Sequence, residues 1–522
     1  MSTPDTTRTQ AFAALETAPF DVLVIGGGAT GLGIALDATT RGLRTALVEA
    51  GDFAQATSSR ATKLVHGGVR YLASGQVHLV YEALHERAVM LRNAPHIVHP
   101  LPTVLPATHL WELPWYGAGL TLYDKLSGSS TMGPTKILGA KATVALIPGI
   151  ATKNLKGAIL YHDAQFNDAR YALALAQTAI DHGATVLNYT RVQKLTYTDG
   201  KVSGAIVRDE ETATEHTLQA KAVINATGIF TDDLRHMDQP ARPNLLSVSR
   251  GTHIVVAPHF LGGATAIMVP KTEDGRIIFA IPWQGAVVIG TTDLAAPTPK
   301  MEPDVDPAEI DFLLQTIAPY LAAPITRADI LSIFSGLRPL VTGKENSTSK
   351  LSREHHIDVS NSGMVSVAGG KWTTYRRMAE DTLNFAADKR LLPKGKSVTD
   401  HTPLRGATTT KAPNPHLAEY GTETTAISAL IANDPALAVP LDPALPYSKA
   451  LVIHAVRNEL ARTVEDVLSR RTRSLLLDAR AALRAAPEVA RLIAQELGRD
   501  EAWVSAQIAA FTELALRHYL PA

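Results

Sequence analysis

The chain has 522 residues, 45% of them hydrophobic, with 50 basic and 50 acidic side chains. That length supports more than one core, and a net charge of zero offers no global field for nucleic acid, so any anion must be bound locally. No cysteine is present, which excludes disulfides, thiolate metal sites, a cysteine nucleophile and cysteinyl cofactor attachment, and fits a reducing compartment.

Residues 1–20 read as a polar tail without the apolar run of a signal peptide. Nowhere do ~18 apolar residues follow one another, so no membrane-spanning helix is expected. Residues 21–25 read as a strand buried on both faces. The following "GGGATG" places Gly26, Gly28 and Gly31 in G-x-G-x-x-G spacing. The first glycine allows a tight turn, the second lets backbone approach a pyrophosphate, and the third lets helix and strand pack closely. The helix that starts there offers free N–H groups and a positive dipole end to phosphate. Glu49 closes the second strand, where a carboxylate suits the hydroxyls of an adenosine ribose.

Next comes "TSSRATKLVHGGVRYL", residues 57–72, with Arg60, Lys63, His66 and Arg70. No acid occurs anywhere in 53–81. In a chain of balanced charge, this predicts a segment facing an anion. Residues 167–182 have helical spacing. "TVLNYTRVQKLTY" and "KVSGAIVRD" read as antiparallel strands joined at "TDGK", and "AKAVINATG" as a further buried strand. Residues 240–345 are strand-rich, most clearly at "THIVVAP", "RIIFAIPW" and "AVVIGTTD". "SVAGGKWTTYRRMAEDTLNFAADK" is strand, glycine turn, helix. A Pro-, Gly- and Thr-rich passage at 392–415 leads into a helical region from about 425, with Leu460, Val464 and Leu468 four residues apart.

Two later glycine turns favour FAD over NAD. "INATG", with Ala226, Thr227 and Gly228, suits closure over a dinucleotide already held by the first turn. "AGGKWTTYR", with Gly370, Lys371, Trp372, Thr373 and Thr374, opens a helix whose N-terminus would stabilise negative charge on a reduced flavin.

These strings, with "YHDAQFNDAR", "GTHIVV", "IPWQGAVVIGTTD" and "SGLRPLV", resemble the FAD-dependent glycerol-3-phosphate dehydrogenases of the glycine/D-amino-acid-oxidase-like flavoproteins. "RNELARTVEDVLSRRTR", at 457–473, is similar to that family's C-terminal helical region. Trp372 stands where the family commonly has Leu, and "ATGIFTDDL" replaces a more usual Pro-Trp. No calcium loop such as D-x-D-x-D-G occurs, and no metal site is expected.

The resemblance implies an α/β fold. A Rossmann-like FAD-binding domain (about 21–75, 150–235 and 350–390) interleaves with an antiparallel-sheet substrate domain (about 76–149 and 236–349). Together they form an oxidoreductase domain over 21–400, followed by an all-helical domain at 401–522. The activity implied is oxidation of sn-glycerol 3-phosphate to dihydroxyacetone phosphate, with noncovalent FAD and electrons passed to a membrane quinone. The place implied is the cytoplasmic side of the inner membrane, as a peripheral protein, or the cytoplasm if soluble.

That chemistry needs cations for a phosphate dianion, a base for the C2 hydroxyl and a donor for the developing oxyanion. Arg70 and Arg353 are the expected phosphate ligands, with Tyr71 as a neutral donor. Arg338 is expected over the C2 oxygen or shared with the phosphate. His253 is the first choice of base because its ordinary pKa suits proton transfer near neutrality. Lys371 competes, as a lysine crowded by arginines. Thr57, Ser58 and Ser59 are expected on the FAD pyrophosphate or ring, and Lys63 and His66 along the flavin. Gly67 and Gly68 are expected to let backbone pass beneath it. Thr30 and Val192 complete the cofactor set.

The aromatic segment 109–126, with Trp111, Trp115, Tyr116 and Tyr123, suits a membrane headgroup region or a packed core loop. The C-terminal helices suit a cap or a homodimer contact. An oxidase that reduces oxygen to peroxide, an amine or amino-acid oxidase and a flavin-binding scaffold without turnover are the alternatives.

Overall fold

The computed structural model describes residues 4–69, 75–128, 132–270, 272, 277–342, 354–412 and 414–519. Three glycine turns come together because three parallel strands lie side by side. Phe20–Ile25 pairs in parallel with Glu215–Asn225, Val24 opposite Ile224, and with Thr45–Val48 on its other edge. Val365–Gly369 pairs in parallel with the far edge of Glu215–Asn225. All three chains therefore turn at the same, carboxyl, end of the sheet, where ligands of open α/β sheets bind. Phe20–Ile25, Thr45–Val48 and the last four residues of Glu215–Asn225 are almost wholly buried, so they read as apolar runs. Helix Ala29–Thr40 covers them with Leu32, Ile34 and Leu36 in a core that includes Val22, Val24, Ile224 and Tyr375.

A second, mostly antiparallel sheet carries the other half of the site. Leu246–Val256 pairs along its length with Ile330–Val341 on one edge and with Ala286–Gly290 on the other. The short strand Leu64–Val65 joins this sheet by pairing with Gly157–Phe166. The acid-free segment thus runs from the first sheet to the second.

Three local expectations change. The segment expected as a polar tail holds an α-helix, Pro4–Thr17, whose Phe12 and Leu15 are buried against Leu23, Val207 and Leu218. Burying two such side chains is worth roughly 2 kcal/mol each. Arg8 adds an ion pair to Asp209 at 2.7 Å. The run "TVLNYTRVQKLTY" divides into two strands. Thr185–Leu187 extends the parallel sheet, and Thr190–Thr198 forms the predicted hairpin with Lys201–Asp209. Asp199 and Gly200, both at positive φ, make its two-residue turn. Leu460 does not continue a helix with Val464 and Leu468; its φ of 55° places it in the break after helix Lys449–Asn458.

The C-terminal helices share one core with the second sheet. Val255, Ile281, Val288 and Phe334 pack in the same cluster as Leu451, Val464, Val489 and Phe511.

Candidate active site

Two cavities lie at the carboxyl end of the first sheet, and Thr57 lines both. The first, of about 370 Å³, is lined by Gly26, Gly28, Glu49, Thr57, Ser58, Val192, Ala226, Thr227 and Gly228. Gly31 has the packing role that its spacing predicts, because a Cβ there would stand 1.9 Å from the Gly26 carbonyl oxygen. Gly28 caps helix Ala29–Thr40 without a side-chain bond of its own. The Ser58 hydroxyl accepts the Ala29 N–H at 2.9 Å. The Glu49 carboxylate accepts the Gly27 N–H at 2.6 Å and the Gly51 N–H at 2.9 Å. Burial raises its pKa against these two bonds. A glycine-lined turn, a helix N-terminus and a held carboxylate are the donor set that the ADP half of FAD requires, so the residues present fit that cofactor.

The second cavity, of about 320 Å³, continues past Thr57 along the other sheet. Thr62, His66, Gly68, His253, Arg338, Gly370, Lys371, Trp372 and Thr373 line it. The register explains why two of these meet. On paired strands His253 lies opposite Phe334, Gly251 opposite Gly336 and Ser249 opposite Arg338. Alternate residues share a face, so His253 and Arg338 project from one side of the sheet, with the two glycines between them. A Cβ on Gly251 would stand 2.3 Å from Arg338 Nη2, and one on Gly336 would stand 2.9 Å from Arg60 Cβ. The glycine pair is the bare floor between the imidazole and the guanidinium.

The His253 ring is 2% exposed and stacks on Phe334 at 4.6 Å and 9°. Its Nε2 shares a hydrogen bond of 3.0 Å with the Thr62 hydroxyl. Its Nδ1 is sealed from solvent with no hydrogen-bond partner among the described residues. Burial, then Lys63, then Arg338 hold the imidazole well below its ordinary pKa. Arg338 reaches Thr291 Oγ1 and the Thr292 carbonyl, both at 3.1 Å, and Asp293 at 3.5 Å.

Several expected positions fall elsewhere. Lys63 does not run along either cavity. Its ammonium is fully buried, 2.7 Å from Asp168 and 2.9 Å from the Ser59 carbonyl. Ser59 therefore contributes its carbonyl to a buried cation cluster, where Arg473 also donates to it at 2.6 Å. The Gly67 N–H donates to Tyr123 Oη at 2.7 Å, and a Cβ there would strike Leu84 and Tyr123. Gly67 is thus demanded by protein packing and not by a cofactor. The Thr30 hydroxyl faces Met378 and the Thr374 hydroxyl faces the Lys371 carbonyl; neither lines either of these two cavities. Arg60, the other cation of the acid-free segment, is paired with Glu302 at 2.7 Å. Arg70, Tyr71 and Arg353 lie outside the described residues. Thr62, Gly251, Gly336, Thr291 and Asp293 were not singled out, although all five stand inside the quoted motifs.

The segment 109–126 is mainly a helix, Glu112–Leu126, that packs Leu120 and Tyr123 inward. Leu110, Trp111 and Trp115 are 69%, 63% and 71% exposed. The core-loop alternative therefore fails for the two tryptophans. Among the described residues no helix is long and apolar enough to cross a membrane.

Comparison with known proteins matches residues 21–376 to the family described as FAD dependent oxidoreductase, and residues 365–504 to the C-terminal domain of alpha-glycerophosphate oxidase. The chain is 42% identical over 539 aligned residues to a mitochondrial glycerol-3-phosphate dehydrogenase of Macaca fascicularis, covering 95% of this chain and 73% of that protein. It is 42% identical to a probable mitochondrial glycerol-3-phosphate dehydrogenase of Caenorhabditis elegans, covering 94% and 72%. The crystal structure of a glycerol-3-phosphate dehydrogenase from Bacillus halodurans, complexed with FAD, superposes with a TM-score of 0.81 at 29% identity, covering 99% of this chain and 98% of that one.

Proposed function

The chain belongs to the FAD-dependent glycerol-3-phosphate dehydrogenases, and we propose that His253, Arg338 and Lys371 carry its chemistry. The observation that supports this reading is their convergence on one cavity that continues from the dinucleotide cavity at Thr57. Bound FAD supplies the acceptor for the C2 hydride of glycerol 3-phosphate. The chain's own residues hold the phosphate, orient C2 and remove the hydroxyl proton. His253 starts neutral, as a base must. It takes the proton at Nε2, the nitrogen shared with Thr62, because Nδ1 is sealed. Arg338, held by Thr291 and Asp293, meets the charge on the C2 oxygen or the phosphate. Lys371 adds a second cation from the glycine turn and is the alternative base. Arg70, Tyr71 and Arg353 are the proposed phosphate ligands on sequence grounds.

The C-terminal helical region, from about residue 401, acts as a clamp on the cofactor loop. Asp52, which lines the first cavity, is held by Arg470 and by Arg471, whose Nη2 donates at 3.0 Å. Electrons leave for a membrane quinone, with helix Glu112–Leu126 resting on the lipid surface. Its exposed tryptophans suit the headgroup layer, and the exposed Lys125, Lys136 and Lys141 suit anionic lipid.

Anaerobic addition of glycerol 3-phosphate to the purified protein tests the reading. Flavin absorbance should bleach, and reoxidation should follow added quinone. His253→Asn and Arg338→Met should bind FAD and fail to bleach. Bleaching at the parental rate removes that residue from the assignment. Peroxide formed in step with turnover in air would replace the quinone with oxygen.

A further inference from the structure

Behind the His253 ring lies a buried cation that no step so far uses. Lys63 Nζ stands 5.1 Å from the centre of the Phe334 ring, on which His253 stacks. Lys63 is held against solvent and against movement. Its side chain is fully buried, Asp168 accepts from its ammonium at 2.7 Å, and Arg473 shares the same carboxylate at 3.1 Å. The backbone of Lys63 is in the left-handed region, at φ 65°. A side-chain-bearing residue rarely adopts that conformation. The neighbouring Thr62 holds His253 by Nε2. One dipeptide therefore governs the imidazole in two ways, through a hydroxyl on its edge and a charge behind its stacking partner.

We propose that Lys63 is a positioning residue for the proton transfer: its ammonium, fixed by Asp168, keeps the imidazole of His253 neutral and ready to receive the substrate proton. This rests on the reading of His253 as base. The charges that bear on the ring are Lys63 from this segment and Arg338 from strand Ile330–Val341. Strand Ala286–Gly290, which carries no ionisable side chain, sets the uncharged Gly290 beside the ring. Around Lys63 stand Asp168, Arg473 and Arg60. Burial, opposed by Asp168, lowers Lys63 itself to about 7. The ammonium is thus charged over the pH range in which an ordinary histidine would take up a proton, and there it repels that proton. In a site that must also admit a phosphate dianion, which attracts protons, this repulsion preserves the free base.

The test is single-turnover flavin reduction by glycerol 3-phosphate, measured anaerobically from pH 4 to pH 8 in FAD-loaded wild type, Lys63→Met, Lys63→Arg and His253→Asn. The substrate phosphate titrates alike in all four. The acid limb should move up by about one pH unit in Lys63→Met and return in Lys63→Arg, whose permanent charge replaces the ammonium. A limb in Lys63→Met that coincides with that of wild type, while His253→Asn is inactive, overturns the role of Lys63 and leaves the base in place. Parental reduction in His253→Asn overturns both. If Lys63→Met does not retain flavin, Lys63→Gln, which keeps a donor for Asp168 and the Ser59 carbonyl without the charge, takes its place with the same two outcomes.

Discussion

Trp372 donates its indole N–H to the carbonyl of Ser58 at 2.8 Å, across 314 positions of the chain. The bond ties the third glycine turn to the segment that follows the first, at the junction of the two cavities. The ring itself stands edge-on to Phe166, Tyr171 and Tyr375 at 5.1, 5.4 and 5.4 Å. Trp372→Phe keeps those contacts and leaves the Ser58 carbonyl without its donor. The loss should be about 1 kcal/mol. Weaker FAD retention, several-fold in the dissociation constant, with little change in melting of the FAD-free protein, is the expected result of a flavin titration.

Gly31→Ala tests the packing of the first turn. The added methyl would lie 1.9 Å from the Gly26 carbonyl oxygen, a backbone atom that cannot swing aside. Helix Ala29–Thr40 must shift from the strand at a cost of roughly 1–3 kcal/mol. Its N-terminus then leaves the place where it meets the pyrophosphate. The purified variant should show a clearly reduced ratio of flavin to protein absorbance, and a parental ratio would refute the argument.

Glu302 gives a pH dependence with a definite sign. It accepts from Arg60 and from His518 at 3.1 Å, joining the acid-free segment to the C-terminal end. Against its burial, Arg60 and His518 lower the carboxyl well below the usual range. A depressed carboxyl stabilises the fold above its unfolded pKa of about 4.3. That contribution is lost progressively as pH falls through the folded value. Glu302→Gln should therefore cost about 3 kcal/mol at pH 7, and the gap to wild type should narrow from about pH 5 downward. Urea denaturation at pH 7 and pH 4 reads the difference directly.

Helix Glu112–Leu126 and its approach give a separable prediction. Trp111→Ser/Trp115→Ser should weaken partition into vesicles containing anionic lipid by roughly tenfold for each ring. Substrate-driven bleaching in solution should be unchanged, because neither side chain lines the cavity. Equal partition of the variant and the parent would remove this face from the membrane contact.

Much of the local geometry was legible because its rules are local. Glycine spacing, a strand that ends in a turn and a helix that follows are set by backbone sterics over a few residues, and Gly26, Gly28, Glu49 and Gly228 line one cavity. The N-terminal helix was missed because its buried apolar anchors, Phe12 and Leu15, gain part of their value from strands almost two hundred residues later, at Val207 and Leu218. Lys63 and Gly67 were misassigned for a related reason. Both stand in a motif beside the cofactor, yet one is taken up by Asp168 and the other by Tyr123.

The sequence by itself determined the dinucleotide turn, the family and the residue types that the reaction needs. Only the tertiary structure decided which cations remain for an anion. The segment 53–81 contains no acid, but two of its charges are not left over for ligands: Arg60 meets Glu302 at a separation of 242 residues and Lys63 meets Asp168 at 105. Pairing partners are chosen by sheet register and burial, which act through space and leave no trace in local spacing. The same register, with Gly251 opposite Gly336, brings His253 and Arg338 onto one bare face of the sheet.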